Sequence, residues 1–325
     1  MTDPPPIGSG GFGNPGAGGL PVIGNGGGAG GQPPPPPPQD GGKPPPPPPP
    51  PKCTYAGTWG TLIRVPVTWP DAVLVLYGGK GEVLQWNISR RVQDSPSTYH
   101  EATSLCGIYL PDLSGAVLTS NQKFGIRFPD SIWDQGGIPP VVFNTTVTSV
   151  GADPRWVAGP IALLTGLKMQ DPTTTPWPDN NFPVAQTPDQ DNDGSPGVTV
   201  IPVNPSDDPS YNWPPVGLPP YLGADYPRAA RISVVVRTVS NLRGTITGCD
   251  EAKGQVDIID IDGSPALSSK VIACTKTDGK VCSASEAQFL NNARPVFTPS
   301  GPGNLRSIRL PDTGTCADVR SGLPK

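Results

Sequence analysis

The first 52 residues constrain this chain most: they hold 19 prolines and 15 glycines. Such a segment has almost no apolar surface to offset the entropy of ordering, so it is expected to be a disordered tether. Residues 1–31 are glycine-rich and read as flexible. Pro33–Pro38 and Pro44–Pro51 read as polyproline II, which rises ~3.1 Å per residue and yields roughly 40 Å of stiff spacer. Holding the rest of the chain away from a membrane or wall is one role for it. Docking into SH3- or WW-type aromatic grooves is the other.

Residues 53–325 read as the folded body, long enough for one large β domain or two small ones. The chain has 23 aspartates against 4 glutamates, and 29 of its 48 prolines lie in the body. Aspartate and proline favour turns and disfavour helix interiors, so the fold class is all-β. The expected architecture is an antiparallel barrel or sandwich with one short C-terminal helix.

Strand-length runs bounded by Gly, Pro, Asp or Asn occur at Thr58–Val65, Ala72–Tyr77, Glu82–Ser89, Ser104–Leu110, Lys123–Phe128 and Val141–Val150. A second group covers Arg231–Val239, Gly244–Gly248, Gln255–Ile261 and Lys270–Cys274. The body thus divides into strand blocks 53–168 and 226–325 around an acidic, Pro/Asp-rich loop, 169–225. Ser283-x-x-Glu286 is a capping box that predicts the helix, stopped by Pro295.

The six cysteines (Cys53, Cys106, Cys249, Cys274, Cys282 and Cys316) all lie in the body, and none forms a C-x-x-C pair. With a single histidine, His100, three disulfides in an oxidising compartment fit better than a zinc site. Cys274 and Cys282 enclose an Asp278-Gly279 turn and are expected to close a hairpin. The protein is therefore expected to be extracytoplasmic: in the cell envelope, at the cell surface or secreted. The tether resembles the spacer of a mature bacterial lipoprotein. The lipidated cysteine of such proteins is absent, so membrane attachment is expected only through a missing anchor. A formal net charge of -4 gives no attraction to nucleic acid.

Gly57-Thr58-Trp59 on the first predicted strand resembles the Gly-x-Trp signature of lipocalin- and avidin-like barrels. The resemblance implies that an arginine from a late strand covers the tryptophan, with Arg231, Arg237 and Arg243 as candidates. The second lipocalin motif is missing.

The most specific chemistry lies in Asp189-Gln190-Asp191-Asn192-Asp193-Gly194-Ser195. Carboxylates at alternate positions followed by glycine let a short backbone curl around one hard cation, and calcium takes six to eight oxygens at ~2.3–2.6 Å. Asp189, Asp191 and Asp193 are the expected side-chain ligands, and the Ser195 carbonyl is a fourth. The segment resembles the first half of EF-hand, dockerin and thrombospondin type 3 calcium loops. It departs from them at position twelve, where Val200 replaces the bidentate glutamate. Asp207, Asp208 or Asp179 would have to complete the shell. The ion's expected role is structural, pinning the long loop. Asp260-Ile261-Asp262-Gly263-Ser264-Pro265 echoes this run and reads as a hairpin turn.

No Gly-x-Ser-x-Gly elbow, His-Glu-x-x-His, P-loop or dinucleotide fingerprint is present. His100 falls in a turn-like stretch, and no catalytic set emerges. Trp177 and Trp213 flank the acidic loop beside prolines, positions suited to stacking on a surface glycan or anchoring a protein partner. Asn87-Ile88-Ser89 and Asn144-Thr145-Thr146 are glycosylation sequons. The expected function is a non-enzymatic binding or structural module at the cell surface. A secreted carbohydrate-active or other hydrolase using Asp/Glu carboxylates is the alternative.

Overall fold

In a computed structural model the chain forms two units, Met1–Pro51 and Lys52–Lys325. The structure describes residues 54–71, 77–114, 125–134, 138–150, 153–178, 186–203, 228–260 and 267–325. The tether and the apolar run at 72–76 lie outside these residues.

The elements in chain order are β1 (Gly57–Trp69), β2 (Gly79–Gln93), β3 (Thr98–Tyr109), β4 (Gly125–Arg127), α1 (Asp130–Asp134), β5 (Val141–Val150), β6 (Asp153–Thr165), β7 (Val198–Val203), β8 (Ala229–Ile246), β9 (Glu251–Ile258), β10 (Leu267–Lys276), α2 (Ala284–Ala293), β11 (Thr298–Pro299), β12 (Gly303–Leu310) and α3 (Cys316–Gly322). The body is all-β, and it is a barrel. β1, β2, β3, β5, β6, β8, β9 and β12 pair in that order, and β12 returns to β1. Every one of these pairings is antiparallel, so the ring runs up and down in chain order. β4 and β7 bridge β3 to β8, β10 lies on the other flank of β8, and β11 extends β1.

β8 makes this possible by its length. Its first half pairs with β7 and β10, its second half with β6 and β9.

Alternation along the strands separates two cores. On β1, Trp59, Ile63 and Val65 join the interior cluster with Tyr55, Val83, Trp156 and Val256. Leu62, from the other face, packs with Leu84, Trp86 and Cys106 beneath Val319 and Leu323 of the C-terminal segment. A third cluster, with Phe128, Trp133, Val198, Val200, Ile232 and Leu290, fills the annex built by β7, β10 and the helices.

Trp59 is fully buried, and its Nε1 donates to Tyr55 O at 3.0 Å. The guanidiniums of Arg91 and Arg309 lie 5.1 and 5.3 Å from its ring. Arg309 also donates to the carbonyls of Ala56 and Thr54. The covering arginine therefore comes from β12, the register partner of β1, with a second from β2. Arg231, Arg237 and Arg243 are engaged elsewhere: with Asp193, with Thr175 O and Trp177, and with Asp257.

Several elements depart from expectation. β6 runs through Pro154 and Gly159-Pro160, a stretch where no strand is expected from the sequence. Pro154, at the start of the strand, pairs with Ser149, and Pro160 falls in a bulge between Ala158 and Ile161, where a missing N–H costs no ladder bond. β7 lies inside the expected loop. α3 joins α2 as a second C-terminal helix, opened by a Thr315/Asp318 capping box equivalent to the Ser283/Glu286 one. β9 and β10 both pair with β8, and of the Asp260–Pro265 stretch all but Asp260 lies outside the described residues. His100 lies exposed on β3 rather than in a turn, and Asn87 is buried inside the barrel, out of reach of glycosylation.

Two disulfides join pairs of described residues. Cys274–Cys282 closes the Asp-Gly turn as expected, and Cys106–Cys316 joins β3 to the first turn of α3 across 210 residues. None of the described cysteines is free. Cross-linking so long a loop restricts the unfolded chain strongly. Replacing Cys106 and Cys316 together by serine is expected to cost about 2–5 kcal/mol in chemical denaturation, with the C-terminal segment becoming protease-sensitive before the barrel unfolds.

Candidate metal centre

The acidic loop is held before β7 by its backbone. Gln190 N donates to Gly197 O at 3.1 Å and Gly197 N to Pro188 O at 3.0 Å, closing a seven-residue arc. Asn192 and Gly194 take the left-handed region with φ of 55° and 86°. Gly197 has φ 86° too, and a Cβ there would lie 2.6 Å from Val234 O. Only glycine fits that place.

The arc turns the alternate carboxylates toward one point. One oxygen from each of Asp189, Asp191 and Asp193 lies within 4.8 Å of the others. Asp189 accepts from the amides of Asp193 and Gly194 at 3.2 and 2.8 Å. Asp193 accepts from Ser195 N at 2.9 Å and from the Thr199 hydroxyl, and pairs with Arg231 Nη2 at 3.2 Å. Asp191 Oδ2 accepts from Thr199 N at 2.8 Å, whereas its Oδ1 is buried and accepts from nothing.

The two inner carboxylates titrate in opposite directions. Burial, with the Asp193 charge next to it, raises the Asp191 pKa despite the hydrogen bond from Thr199. Burial pulls Asp193 upward as well, but hydrogen bonds from Thr199 and Ser195 and the charge of Arg231 outweigh it and hold that carboxyl low.

Asp189, Asp191 and Asp193 are thus brought together as the spacing implies. Their all-oxygen set, which includes a buried Asp191 oxygen that accepts no hydrogen bond, could hold a hard divalent cation. Ser195 lies within the arc, its amide turned to Asp193. Asp207, Asp208 and Asp179 lie outside the described residues. Val200, at position twelve, is 2% exposed in the annex core and supplies nothing.

The remaining candidates resolve differently. Trp59, Trp69, Trp86, Trp133 and Trp156 are buried core residues. Trp177 lies against Arg237, and Trp213 falls outside the described residues. All four glutamates are ion-paired: Glu82 with Arg64, Glu101 with Arg91, Glu251 with Arg306 and Glu286 with Lys276.

Sequence reasoning missed the polar end of the barrel interior. Arg91 and Glu101, with side chains only 3% and 5% exposed, lie 3.0 Å apart among Asn87, Ser89 and Thr103. The signal available was polar residues at alternate positions of β2, which reads equally as a solvent face. Among the described residues no helix is long and apolar enough to cross a membrane. No family model, curated protein or solved structure matches the chain.

The opposed shifts give opposed mutational signs. A raised carboxyl contributes stability only while protonated and loses it as pH rises through its folded value; a lowered one contributes above its unfolded value, ~3.9, and loses it as pH falls. In chelator at neutral pH, Asp191→Asn is therefore expected to raise the melting temperature. Asp193→Asn is expected to lower stability by about 1 kcal/mol, the hydrogen bonds to charge being discounted for partial exposure. Thermal melts of both variants from pH 4 to 8 check the signs.

Proposed function

We propose that the protein is a non-enzymatic, extracytoplasmic β-barrel module, carried on a proline/glycine spacer and stiffened by calcium, with a binding role at the cell surface. The observation that carries the calcium reading is the convergence of Asp189, Asp191 and Asp193, with Asp191 Oδ1 buried and unpartnered. Calcium, with its preference for many oxygens in irregular geometry, suits carboxylates and loop carbonyls better than magnesium, which demands a strict octahedron. Asp207 or Asp208 would complete the shell.

The two disulfides support folding in an oxidising compartment. The lipoprotein-like spacer supports a cell-envelope or secreted location. The closed ring, with Trp59 covered by Arg309 from its last strand, supports kinship with lipocalin- and avidin-like barrels.

A surface site with incomplete protein ligation belongs with extracellular calcium modules, whose Kd is ~10⁻⁴–10⁻³ M. At tenfold over Kd the folded state gains about 1.4 kcal/mol. Calcium at millimolar concentration is therefore expected to raise the melting temperature by a few degrees, and chelation to reverse it. Asp191→Ala with Asp193→Ala should abolish both this shift and the heat of calcium binding. Wild-type protein with neither heat nor shift would overturn the calcium reading.

A further inference from the structure

Three adjoining cavities lead from the annex into the barrel interior. The outer one, about 90 Å³, lies between β8, β10 and α2. The middle one, about 80 Å³, shares Leu110, Phe128, Val236, Ser269 and Phe297 with it. The third, about 30 Å³, shares Ile63, Leu163 and Ser240 with the middle one and reaches the polar floor. The first two are walled mainly by aliphatic and aromatic side chains, and the floor by Thr61, Asn87, Ser89, Arg91, Glu101 and Thr103, among others. Val83 of the middle cavity and Arg91 of the floor are eight residues apart on β2, roughly 26 Å of strand at ~3.3 Å per residue.

The floor's hydrogen bonding is lopsided. Its hydroxyls are paired: Ser89 with Thr103 at 2.7 Å and Thr61 with Ser307 at 2.8 Å. Glu101 accepts from Thr145 at 2.9 Å. The donors are not satisfied. Arg91 Nε lies 3.0 Å from Glu101 Oε2 as an ion pair, without the alignment of a hydrogen bond. Nε, Nη1 and Trp156 Nε1 are all buried with no acceptor. Buried donors left unpaired are costly, so this floor calls for an acceptor. Its charge, however, is already balanced, +1 on Arg91 against -1 on Glu101. An anionic acceptor would bury an uncompensated charge.

We propose that the barrel interior binds an elongated, uncharged amphiphile: an alkyl chain in the two apolar cavities and a small neutral oxygen acceptor, a hydroxyl or ketone, at Arg91 and Trp156. The 30 Å³ floor, room for about two waters, excludes a bulky head group. This deepens the binding reading above and does not involve the aspartate loop. A failed calcium titration therefore leaves it standing, and a failed lipid titration leaves the calcium site standing.

The test is calorimetric titration of the full chain with 1-decanol and with decanoate, which share an alkyl chain, at pH 8, where the carboxylate is ionised. Decanol is expected to bind, and decanoate about tenfold more weakly or worse. Glu101→Gln makes the floor cationic. It should largely erase the preference, strengthening decanoate about tenfold relative to decanol.

Ser269→Phe, which fills the shared wall of the two apolar cavities, should weaken both probes and serves if the Glu101 variant does not fold. Three results would each overturn the proposal: no decanol binding by wild type that melts cooperatively, decanoate binding as tightly as decanol, or decanol binding unchanged in Ser269→Phe.

Discussion

The pairing of β1 with β12 is the constraint on which the rest of the structure depends. It brings Thr58–Arg64 against Leu310–Asn304 and sets the Thr61 hydroxyl 2.8 Å from that of Ser307, 246 residues away. Without it the ring has two exposed edges and the interior has no wall on that side. With it, Arg309 comes to lie over Trp59, and the chain beyond β12 turns back across the outside of β1, β2 and β3. There Trp86 Nε1 donates to Leu323 O at 2.7 Å, and Cys316 reaches Cys106. The disulfide thus fixes the same closure from outside. Because the closing strands are the first and last of the body, the ring cannot form until nearly all of it is available, a non-local step that slows folding.

The two acidic regions are handled by opposite means. Inside the barrel, Glu101 is matched by Arg91, and the Arg91 guanidinium lies 4.1 Å from the Tyr55 ring. Taking that pair out of water is expensive, and its attraction recovers only part of the cost. Such a pair is poor evidence of stability, and its value lies in leaving the interior polar at one end yet uncharged overall. In the loop, three carboxylates face one arginine, Arg231, whose side chain is half exposed. The raised Asp191 pKa follows first from burial, and the Asp193 charge beside it adds to the shift.

Much of this was legible in the residues. β-branched and aromatic residues marked β1, alternation marked β2, the Ser283/Glu286 box marked α2, and Asp278-Gly279 between Cys274 and Cys282 marked a disulfide-closed turn. The spacing Asp-x-Asp-x-Asp-Gly marked the convergent carboxylates, because that geometry is local. What was hidden depends on distant pairing or on tertiary burial overriding local signals. β6 was hidden by its prolines: Pro154 sits at the start of the strand, and a bulge absorbs Pro160. Arg309 could not be chosen over Arg231, Arg237 or Arg243 without knowing that the last strand adjoins the first. The polar floor was invisible because Asn87, Ser89 and Arg91 alternate just as solvent-facing residues would, and only ring closure turns that face inward.

β7 explains why the loop and the barrel interior are separable. Alternation on this short strand sends Val198 and Val200 into the annex core, while Thr199 meets the carboxylates with both its amide and its hydroxyl. Any force that orders the carboxylates therefore acts on the register of β7, and through it on β4 and the first half of β8. The floor at Arg91 is built by β1, β2, β3, β5, β6, β12 and the second half of β8, beyond the reach of β7 pairing. β8 is the one strand common to both, and it is held on each flank by different partners along its length. A cation at the loop would stiffen the annex and the wall beneath α2, leaving the charge balance at the other end of the barrel as it is.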